Sequence, residues 1–368
     1  VLDQTKTAMG ARLLRTYIEA PLISKSEIEE RLDAVEELLS DMITREELRE
    51  YLNPVYDLER LVTKIIYQTA NPRDLLAFKN SIEVLPAIVT ILGDFKASAI
   101  CDIKNQLDPL IDLCTSIQNI ISEDAPVSVH DGGIIKDGFS EELDLLHRSK
   151  TEGKQWIADL EEKEREKTNI KNLKVKFNKV FGFYFEVTNS YKDLVPDYFI
   201  RKQTLANAER FYTPELKELE NTILGAEDRL THLEYELYKE LLLQIAKEVT
   251  RIQTTAKAVA TLDVFQSLAT VAQKNQFCRP LLNEKGVIDI KGGRHPVVEK
   301  MMKNDLFIDN DTYLDNNKHR ISIITGPNMA GKSTYMRQTA LIVLMAQIGS
   351  YVPAKSANIG IVDRIFTR

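Results

Sequence analysis

The chain contains 368 residues with a formal net charge of −7, and 43% of them are apolar and 28% charged, as is usual for helix-rich proteins in water. This length allows two or three domains. The three cysteines lie too far apart for a metal knuckle, and their odd number argues against a disulfide framework and favours a reducing cytoplasm. The acidic balance excludes a general attraction to DNA or acidic membranes, and the longest purely apolar run, residues 340–346, is too short to cross a bilayer, so we predict no membrane partner.

Residues 1–126 have the periodicity of α-helices. Apolar side chains recur at spacings of three and four, as at Leu32, Val35 and Leu38. Prolines, asparagines and glycine divide the region into several helices, and no residue in it indicates catalysis. The chain begins with Val1 in helix-like sequence, which predicts an excised piece of a longer protein. A further helix, capped by Ser140, is predicted to extend to about residue 169.

Beyond that helix the periodicity changes to two, which is typical of strands. Apolar residues alternate with lysines from residue 173 to 177, and Phe183, Phe185 and Val187 repeat the alternation, so we predict a β-hairpin. The surrounding β-containing module, residues 171–213, is rich in basic side chains. Such a cluster is typical of a phosphate-backbone contact, whose affinity would fall with salt. A solvated edge that uses lysine to block strand pairing is an equally good interpretation. The candidate DNA-binding residues are Lys171, Lys174, Lys176, Lys179, Arg201 and Lys202.

The residues after this module predict a long helix. Thr213 can cap its first turn, and Pro214 suits the first helical position. From Leu216 the spacing between apolar residues alternates between three and four. From Leu241 several successive spacings are four residues, which is a stutter in the heptad pattern. No proline follows before Pro280, so we predict one helix of about 60 residues, spanning roughly 90 Å. We expect it to project as a stalk, paired antiparallel with the preceding helix, with the β-module at its tip.

The last part of the chain has the pattern of a phosphate-binding loop. Strands are predicted at residues 286–290 and 320–324, a glycine-containing loop follows the second, and a helix is predicted over 335–347. In such a loop, backbone N–H groups and the positive end of the following helix face the same phosphate oxygens. Lys332 would reach the β- and γ-phosphates, and Ser333 would offer its hydroxyl to Mg²⁺. The candidate nucleotide-binding residues are Gly326, Pro327, Asn328, Met329, Ala330, Gly331, Lys332, Ser333 and Thr334.

Several motifs together resemble the bacterial MutS family of DNA mismatch-repair ATPases. They cover most of the chain and lie at residues 57–61, 71–75, 207–211, 214–218, 293–299 and 325–338. The resemblance implies a mainly α protein with a small β clamp insert, followed by the start of an α/β phosphate-loop ATPase domain of the ATP-binding-cassette type. Residues 1–170 and 214–282 would be core and lever helices, 171–213 the DNA clamp, and 283–368 the first part of the ATPase domain.

The same resemblance implies ligands and partners. We expect ATP and Mg²⁺ at the loop, mismatched double-stranded DNA at the clamp, a homodimer that closes around DNA, downstream mismatch-repair proteins, and a cytoplasmic, nucleoid-associated location. Asn328 would contact or order the γ-phosphate region. Phe307 would contact adenine, or else it has a simple packing role.

Other family features are missing from this sequence. The mismatch-reading domain that carries the family's Phe-x-Glu motif, the second acidic nucleotide motif and a general base are not found, and Asp363 lies too close after Lys332 to be the metal-binding aspartate. We therefore expect an ATPase in the longer protein but assign no catalytic residue here and predict no sustained turnover by this piece. The alternative function is a recombination or chromosome-maintenance ATPase whose stalk tethers DNA without mismatch preference.

Overall fold

A computed structural model describes residues 1–178, 180–302, 306–327 and 330–366, apart from the side chains of residues 149–151. The chain forms two compact units. The first contains residues 1–70, 77–115 and 244–368, and the second contains residues 71–76 and 116–243. Helices predominate in the described ranges, and two small sheets accompany them. The predicted fold class, mainly α with a small β insert and the start of an α/β domain, is confirmed.

The first 126 residues form short helices, and the first four of these begin at side-chain caps. Thr7, Ser24, Asp41 and Asp57 each accept a hydrogen bond from a backbone N–H of the turn that follows. The predicted apolar stripe is buried, as at Leu32. The helices of this region are α1 Ala8–Glu19, α2 Lys25–Ser40, α3 Met42–Leu52, α4 Leu58–Ile66, α5 Pro72–Glu83, α6 Leu85–Ile91, α7 Ser98–Gln106 and α8 Ile111–Ile120.

Residues 72–94 are long and apolar enough to pass a composition test for a membrane-spanning helix, with a mean hydropathy of 1.6. The structure divides this stretch at Val84, between α5 and α6. Phe78, Ile82 and Ile88 are completely buried in the first unit. Core helices of water-soluble proteins can be as long and as apolar as this stretch.

The second unit contains helix α9, Glu141–Thr168, and a four-stranded antiparallel sheet. The strands are β1 Lys174–Asn178, β2 Gly182–Thr188, β3 Ile200–Thr204 and β4 Ala208–Tyr212, in the order β1-β2-β4-β3. The predicted hairpin is therefore present as β1 and β2, and it is part of a larger sheet. One sheet face packs on the ends of the adjoining helices through Leu160, Leu216 and the aromatic residues Phe185 and Phe211.

The predicted continuous stalk helix is interrupted, so that part of the prediction is wrong. Helix α10 covers Pro214–Lys247 and helix α11 covers Val249–Asn275, and Glu248 between them has φ −93° and ψ 15°. At the interruption, Arg251 donates hydrogen bonds to Glu248 and also to Asp108, at distances of 3.1 and 2.8 Å. This network fixes the start of α11 to a distant loop of the same unit. Helix α11 is then enclosed by α1, α2, α4 and α7 and is buried over most of its length.

The C-terminal part of the first unit contains a second sheet. Its strands are β5 Leu281–Asn283, β6 Ile288–Gly293, β7 Asn310–Leu314 and β8 Ser356–Gly360, in the order β5-β8-β6-β7. Helices α12, Pro296–Met301, and α13, Lys332–Gln347, complete this region. The predicted loop helix is thus confirmed, with a start three residues earlier, and the strand predicted at 286–290 is shifted to β6.

The strand predicted immediately before the phosphate loop is not formed. Residues 321–327 have no strand structure, and the side chains of Ile321 and Ile323 are each 86% exposed. A strand is stabilised by hydrogen bonds to a neighbour, and no described strand pairs with these residues. Their β-branched composition alone is insufficient for strand formation.

Candidate nucleotide site and nucleic-acid interface

The phosphate loop leads directly into the N-terminus of α13. Gly331 has φ +86°, a left-handed conformation that suits glycine, and it occupies the helix cap without providing a side-chain acceptor. The first N–H groups of α13 are therefore not capped by a side chain. Such a helix start, with its positive dipole end, is a favourable position for phosphate oxygens.

Lys332 lies over the loop that precedes it. Its Nζ donates hydrogen bonds to the carbonyl oxygen of Pro327, at 3.0 Å, and to that of Gly326. The ammonium group is thus held on the loop side of the helix start, where a bound phosphate would lie. Ser333 follows with an exposed side chain, so its hydroxyl is accessible to a metal ion. The predicted residues Asn328 and Met329 lie outside the described residues.

A cleft of 850 Å³ adjoins the loop, and Phe307 lines it together with Thr325, Gly331 and Lys332. Ala330 and Thr334 also contribute to the lining. The structure therefore brings Phe307 together with four of the predicted contacts around one space, whereas the predicted residues Gly326, Pro327 and Ser333 are not among its lining residues. An aromatic ring and phosphate-binding groups that line the same space fit the two ends of a nucleotide.

One wall of this cleft is polar and was not predicted. Tyr335, Gln338 and Asp311 line it. The Asp311 carboxylate accepts a hydrogen bond of 2.9 Å from the Gly292 N–H, and this bond, together with Lys291 nearby, lowers the pKa of Asp311. The sequence signal for the helix side of this wall was the spacing of Tyr335 and Gln338 on one face of α13, where apolar residues would be expected for burial.

A metal ion would depend on few protein ligands here. Within the described ranges, no three His, Cys, Asp or Glu side chains are arranged to hold a metal ion. The donor at the loop is the hydroxyl of Ser333, which is typical of Mg²⁺ sites that are completed by phosphate oxygens and water. The residues present therefore fit a nucleotide-bound Mg²⁺ better than an independent metal centre.

His295 has a structural position outside this cleft. Its Nδ1 accepts a hydrogen bond of 3.2 Å from the Val298 N–H and thereby caps α12. Burial lowers the pKa of His295. Asp363, which was rejected as a metal ligand, lines a separate 800 Å³ cavity with His295 and Arg337.

The basic residues of the β-module differ in how far their charges are compensated. Lys176 forms an ion pair of 2.7 Å with Glu186, and Arg201 forms one of 3.1 Å with buried Glu209. Lys202 donates to the Phe181 carbonyl oxygen and lies 5.4 Å from the Tyr212 ring centre. Lys171 and Lys174 are exposed and have no ion pair with a described residue. Lys179 lies outside the described residues.

Helix carboxylates hold the sheet in place, a feature that the sequence did not indicate. Glu161 accepts a hydrogen bond of 2.8 Å from the Val175 N–H, and Glu220 accepts one of 2.7 Å from the Phe183 N–H. Glu164 accepts a hydrogen bond of 2.6 Å from the Tyr198 hydroxyl. Three carboxylates on two helices thus bind three separate points of the β-module.

Comparisons with known proteins cover the whole chain. Residues 1–269 match the family model of MutS domain III, and residues 322–368 match that of MutS domain V. A DNA mismatch repair protein MutS from Lachnoclostridium phytofermentans is 64% identical over 100% of this chain and 40% of its own length. Proteins of the same name from Acetivibrio thermocellus and Ruminiclostridium cellulolyticum are 58% and 56% identical over 100% of this chain, which covers 42% of each. The chain thus spans about two fifths of the length of these relatives.

Proposed function

The chain belongs to the MutS family, and from this premise we propose that it provides the lever, DNA-contacting and phosphate-binding parts of a DNA mismatch-repair ATPase. In this proposal residues 1–170 and 214–282 are core and lever helices, and residues 171–213 are the DNA clamp. Residues 283–368 are the first part of the ATPase domain. The clamp sheet and the phosphate loop lie in different compact units, which supports treating them as separate parts, although the first unit also joins residues 283–368 with the core helices.

The nucleotide site is proposed at the cleft beside α13, with ATP and Mg²⁺ as its ligands. One observation carries the proposal: Lys332, the uncapped helix start and Phe307 border the same space. Gly326, Pro327, Ala330, Gly331 and Thr334 would surround the phosphates, and Asn328 and Met329 complete the proposed loop. Ser333 would contact Mg²⁺, and Phe307 would stack on adenine.

Calorimetric titration of the 368-residue chain with Mg²⁺–ATP tests this site. We expect Lys332→Ala to weaken binding by about tenfold or more, because a charge-assisted contact to phosphate is lost. Lys318→Ala is a matched control, since Lys318 is exposed and lies outside the cleft lining. Equal affinities of the wild type and the Lys332 variant would exclude this nucleotide site.

Sustained hydrolysis is not part of the activity proposed for this chain. Among the described residues that line the cleft, Asp311 is the one carboxylate, and it already accepts the Gly292 N–H. It is therefore a poor candidate for activating water. Steady phosphate release that is lost in Lys332→Ala would contradict this proposal.

The DNA contact is proposed at the exposed lysines of the β-module. Lys171 and Lys174 have the least compensated charges, so they should contribute more to phosphate binding than Lys176 or Arg201. Fluorescence anisotropy with a labelled duplex at several salt concentrations tests this order. The Lys171→Ala/Lys174→Ala variant should reduce the salt slope by roughly two, and Lys176→Ala should reduce it less. A slope unaffected by the double substitution would exclude these contacts.

Further properties are proposed for the longer protein. They are mismatch preference, homodimer formation, contacts with downstream repair proteins and a cytoplasmic, nucleoid-associated location. They rest on membership of the family. Paired and mispaired duplexes should bind the full-length protein with different affinities, and Lys332→Ala should abolish its ATP-dependent release from a mismatch. Equal affinity for the two duplexes would instead favour a tethering ATPase without mismatch recognition.

A further inference from the structure

The hydroxyl of Tyr335 connects α13 with strand β7. It donates a hydrogen bond of 3.1 Å to the carbonyl oxygen of Asp311 and accepts one of 2.9 Å from the hydroxyl of Thr312. Thr312 is buried, so the contact lies inside the wall of the cleft. The two bonds fix the position of the Tyr335 ring against the start of β7.

On the helix side, Tyr335 is tied to the phosphate loop. It follows Thr334 in the first turn of α13, and its backbone N–H donates a hydrogen bond of 2.9 Å to the carbonyl oxygen of Gly331. Lys332, the proposed phosphate ligand, lies between these two residues in sequence. A displacement of the Tyr335 ring would therefore move this turn as one body relative to β7, without changing the arrangement of the phosphate-binding groups within it.

On the strand side, the Tyr335 hydroxyl contacts the start of β7, and Phe307 lies a few residues before this strand. The Asn310 side-chain amide donates a hydrogen bond of 3.1 Å to the Ile308 carbonyl oxygen, which closes the short segment between Phe307 and β7. The Asp311 carboxylate accepts the Gly292 N–H and so attaches this segment to β6. Phe307, which lines the cleft, directly precedes this hydrogen-bonded segment.

Other polar contacts along this helix face are farther from the loop or weaker. Thr339, one turn beyond Tyr335, lies 3.4 Å from the Thr312 hydroxyl. Gln338 is completely buried, and neither polar atom of its side chain has a hydrogen-bond partner in the described part of the chain. The Tyr335 hydroxyl is consequently the main polar connection, among described residues, between the first turn of α13 and β7.

We propose that Tyr335 is a positioning residue that sets the separation between the phosphate loop and Phe307, the residue proposed to contact the base. A ligand that engages both ends binds best when their spacing is fixed before binding, whereas a ligand that engages one end gains nothing from that spacing. This inference rests on the proposed nucleotide site. It adds that phosphate and base recognition are coupled through one hydroxyl group.

The test compares Mg²⁺–ATP with Mg²⁺–tripolyphosphate, which has the phosphates without the nucleoside. The affinities are measured by calorimetric titration of the wild type and of Tyr335→Phe, which lacks only the hydroxyl. We expect the two proteins to differ in their affinity for ATP and not for tripolyphosphate. ATP affinity should fall roughly three- to tenfold, the usual effect of one lost hydrogen bond, and tripolyphosphate affinity should stay within about twofold. An equal loss for both ligands, or no loss for ATP, would overturn the proposal.

Two controls separate this inference from the nucleotide site itself. Phe307→Ala should also weaken ATP selectively, and the Tyr335→Phe/Phe307→Ala double variant should lose less than the two single effects combined, because both act on one interaction. Additive losses would contradict the coupling. Lys332→Ala should weaken both ligands, and if it affected neither, the nucleotide site would be wrong whatever the result for Tyr335.

Discussion

At the scale of single residues, the buried carboxylate of Asp263 on α11 organises the start of the chain. It accepts hydrogen bonds of 2.9 Å from the Lys6 N–H and 2.7 Å from the Thr7 N–H, and another of 2.6 Å from the Gln266 side chain. This satisfies a charge that would be costly to bury alone. A Cβ atom on Gly10 would lie 2.3 Å from an oxygen of this carboxylate.

We predict that Gly10→Ala destabilises the protein by about 1–3 kcal/mol through steric conflict with Asp263, although alanine is the better helix former. Gly225→Ala is the matched control, because Gly225 also lies in a helix but has no atom within 4 Å of its Cβ position. That change should stabilise by about 0.5–1 kcal/mol. Urea unfolding followed by circular dichroism measures both, and a stabilising Gly10→Ala would contradict the packing described.

A second prediction at this scale concerns pH. Burial, followed by the hydrogen bond to Glu164, raises the pKa of Tyr198 to about 12 from its ordinary value of 10. The folded state therefore favours the neutral phenol. This contribution is complete below pH 10 and is lost as the pH rises through about 12. Thermal unfolding should show a smaller loss of stability between pH 9 and 11 for Tyr198→Phe than for the wild type, and parallel losses would argue against this linkage.

At the scale of secondary-structure elements, the attachment of β2 to α10 depends on Glu220. Its side chain is buried and accepts the Phe183 N–H, and Gly182 leaves the space that the carboxylate occupies. Since Phe183 follows the turn between β1 and β2, this one contact orients the end of the hairpin on the helix.

We predict that Glu220→Ala destabilises the second unit by about 1–3 kcal/mol, because the Phe183 N–H loses its acceptor. Amide hydrogen exchange at Phe183 should accelerate with it. Glu218→Ala is the control, since Glu218 is exposed on the same helix. Unchanged exchange at Phe183 in the Glu220 variant would show that the hydrogen bond contributes little.

Local sequence was sufficient for some elements and insufficient for others. The start of α10 was predictable because Thr213 and Pro214 are adjacent to it, and the glycine loop identified α13 for the same reason. At the interruption after α10, Arg251 contacts Asp108, 143 residues away, and no local pattern contains such a contact.

The candidate sites show the same limit. The phosphate loop was recognisable from contiguous residues, whereas the polar wall formed by Tyr335 and Asp311 joins residues 24 apart. The pairing of Arg201 with Glu209 depends on strand register, so the compensation of its charge was not visible in the lysine and arginine pattern. The sequence could therefore identify candidate site residues better than it could show whether their charges are free or paired.

At the scale of the whole molecule, the division into two units should be visible in ligand-dependent stability. The proposed nucleotide site lies in the first unit, and the one tryptophan of the sequence, Trp156, lies in α9 of the second. Its fluorescence is therefore a local probe of the second unit.

We predict that Mg²⁺–ATP at 100 times its dissociation constant stabilises the first unit by about 2.7 kcal/mol. The circular dichroism transition of this unit should move to higher temperature, and the Trp156 fluorescence transition should change little. At the same ATP concentration the Lys332→Ala variant, whose affinity is expected to be at least tenfold weaker, should gain no more than about 1.4 kcal/mol in the first unit, and its Trp156 fluorescence transition should not shift. Equal shifts of both transitions in the wild type would mean that the two units unfold as one.

The discontinuity of the first unit also has a consequence for biosynthesis. Helix α11 is enclosed by helices from the first third of the chain, and Asp263 binds Lys6 across 257 residues. During translation, α1 to α4 emerge long before the helix that covers their apolar faces, whereas most of the second unit is complete once residue 243 has been made. The inserted unit can therefore fold first, and the earliest helices remain exposed to chaperones and to aggregation until α11 leaves the ribosome.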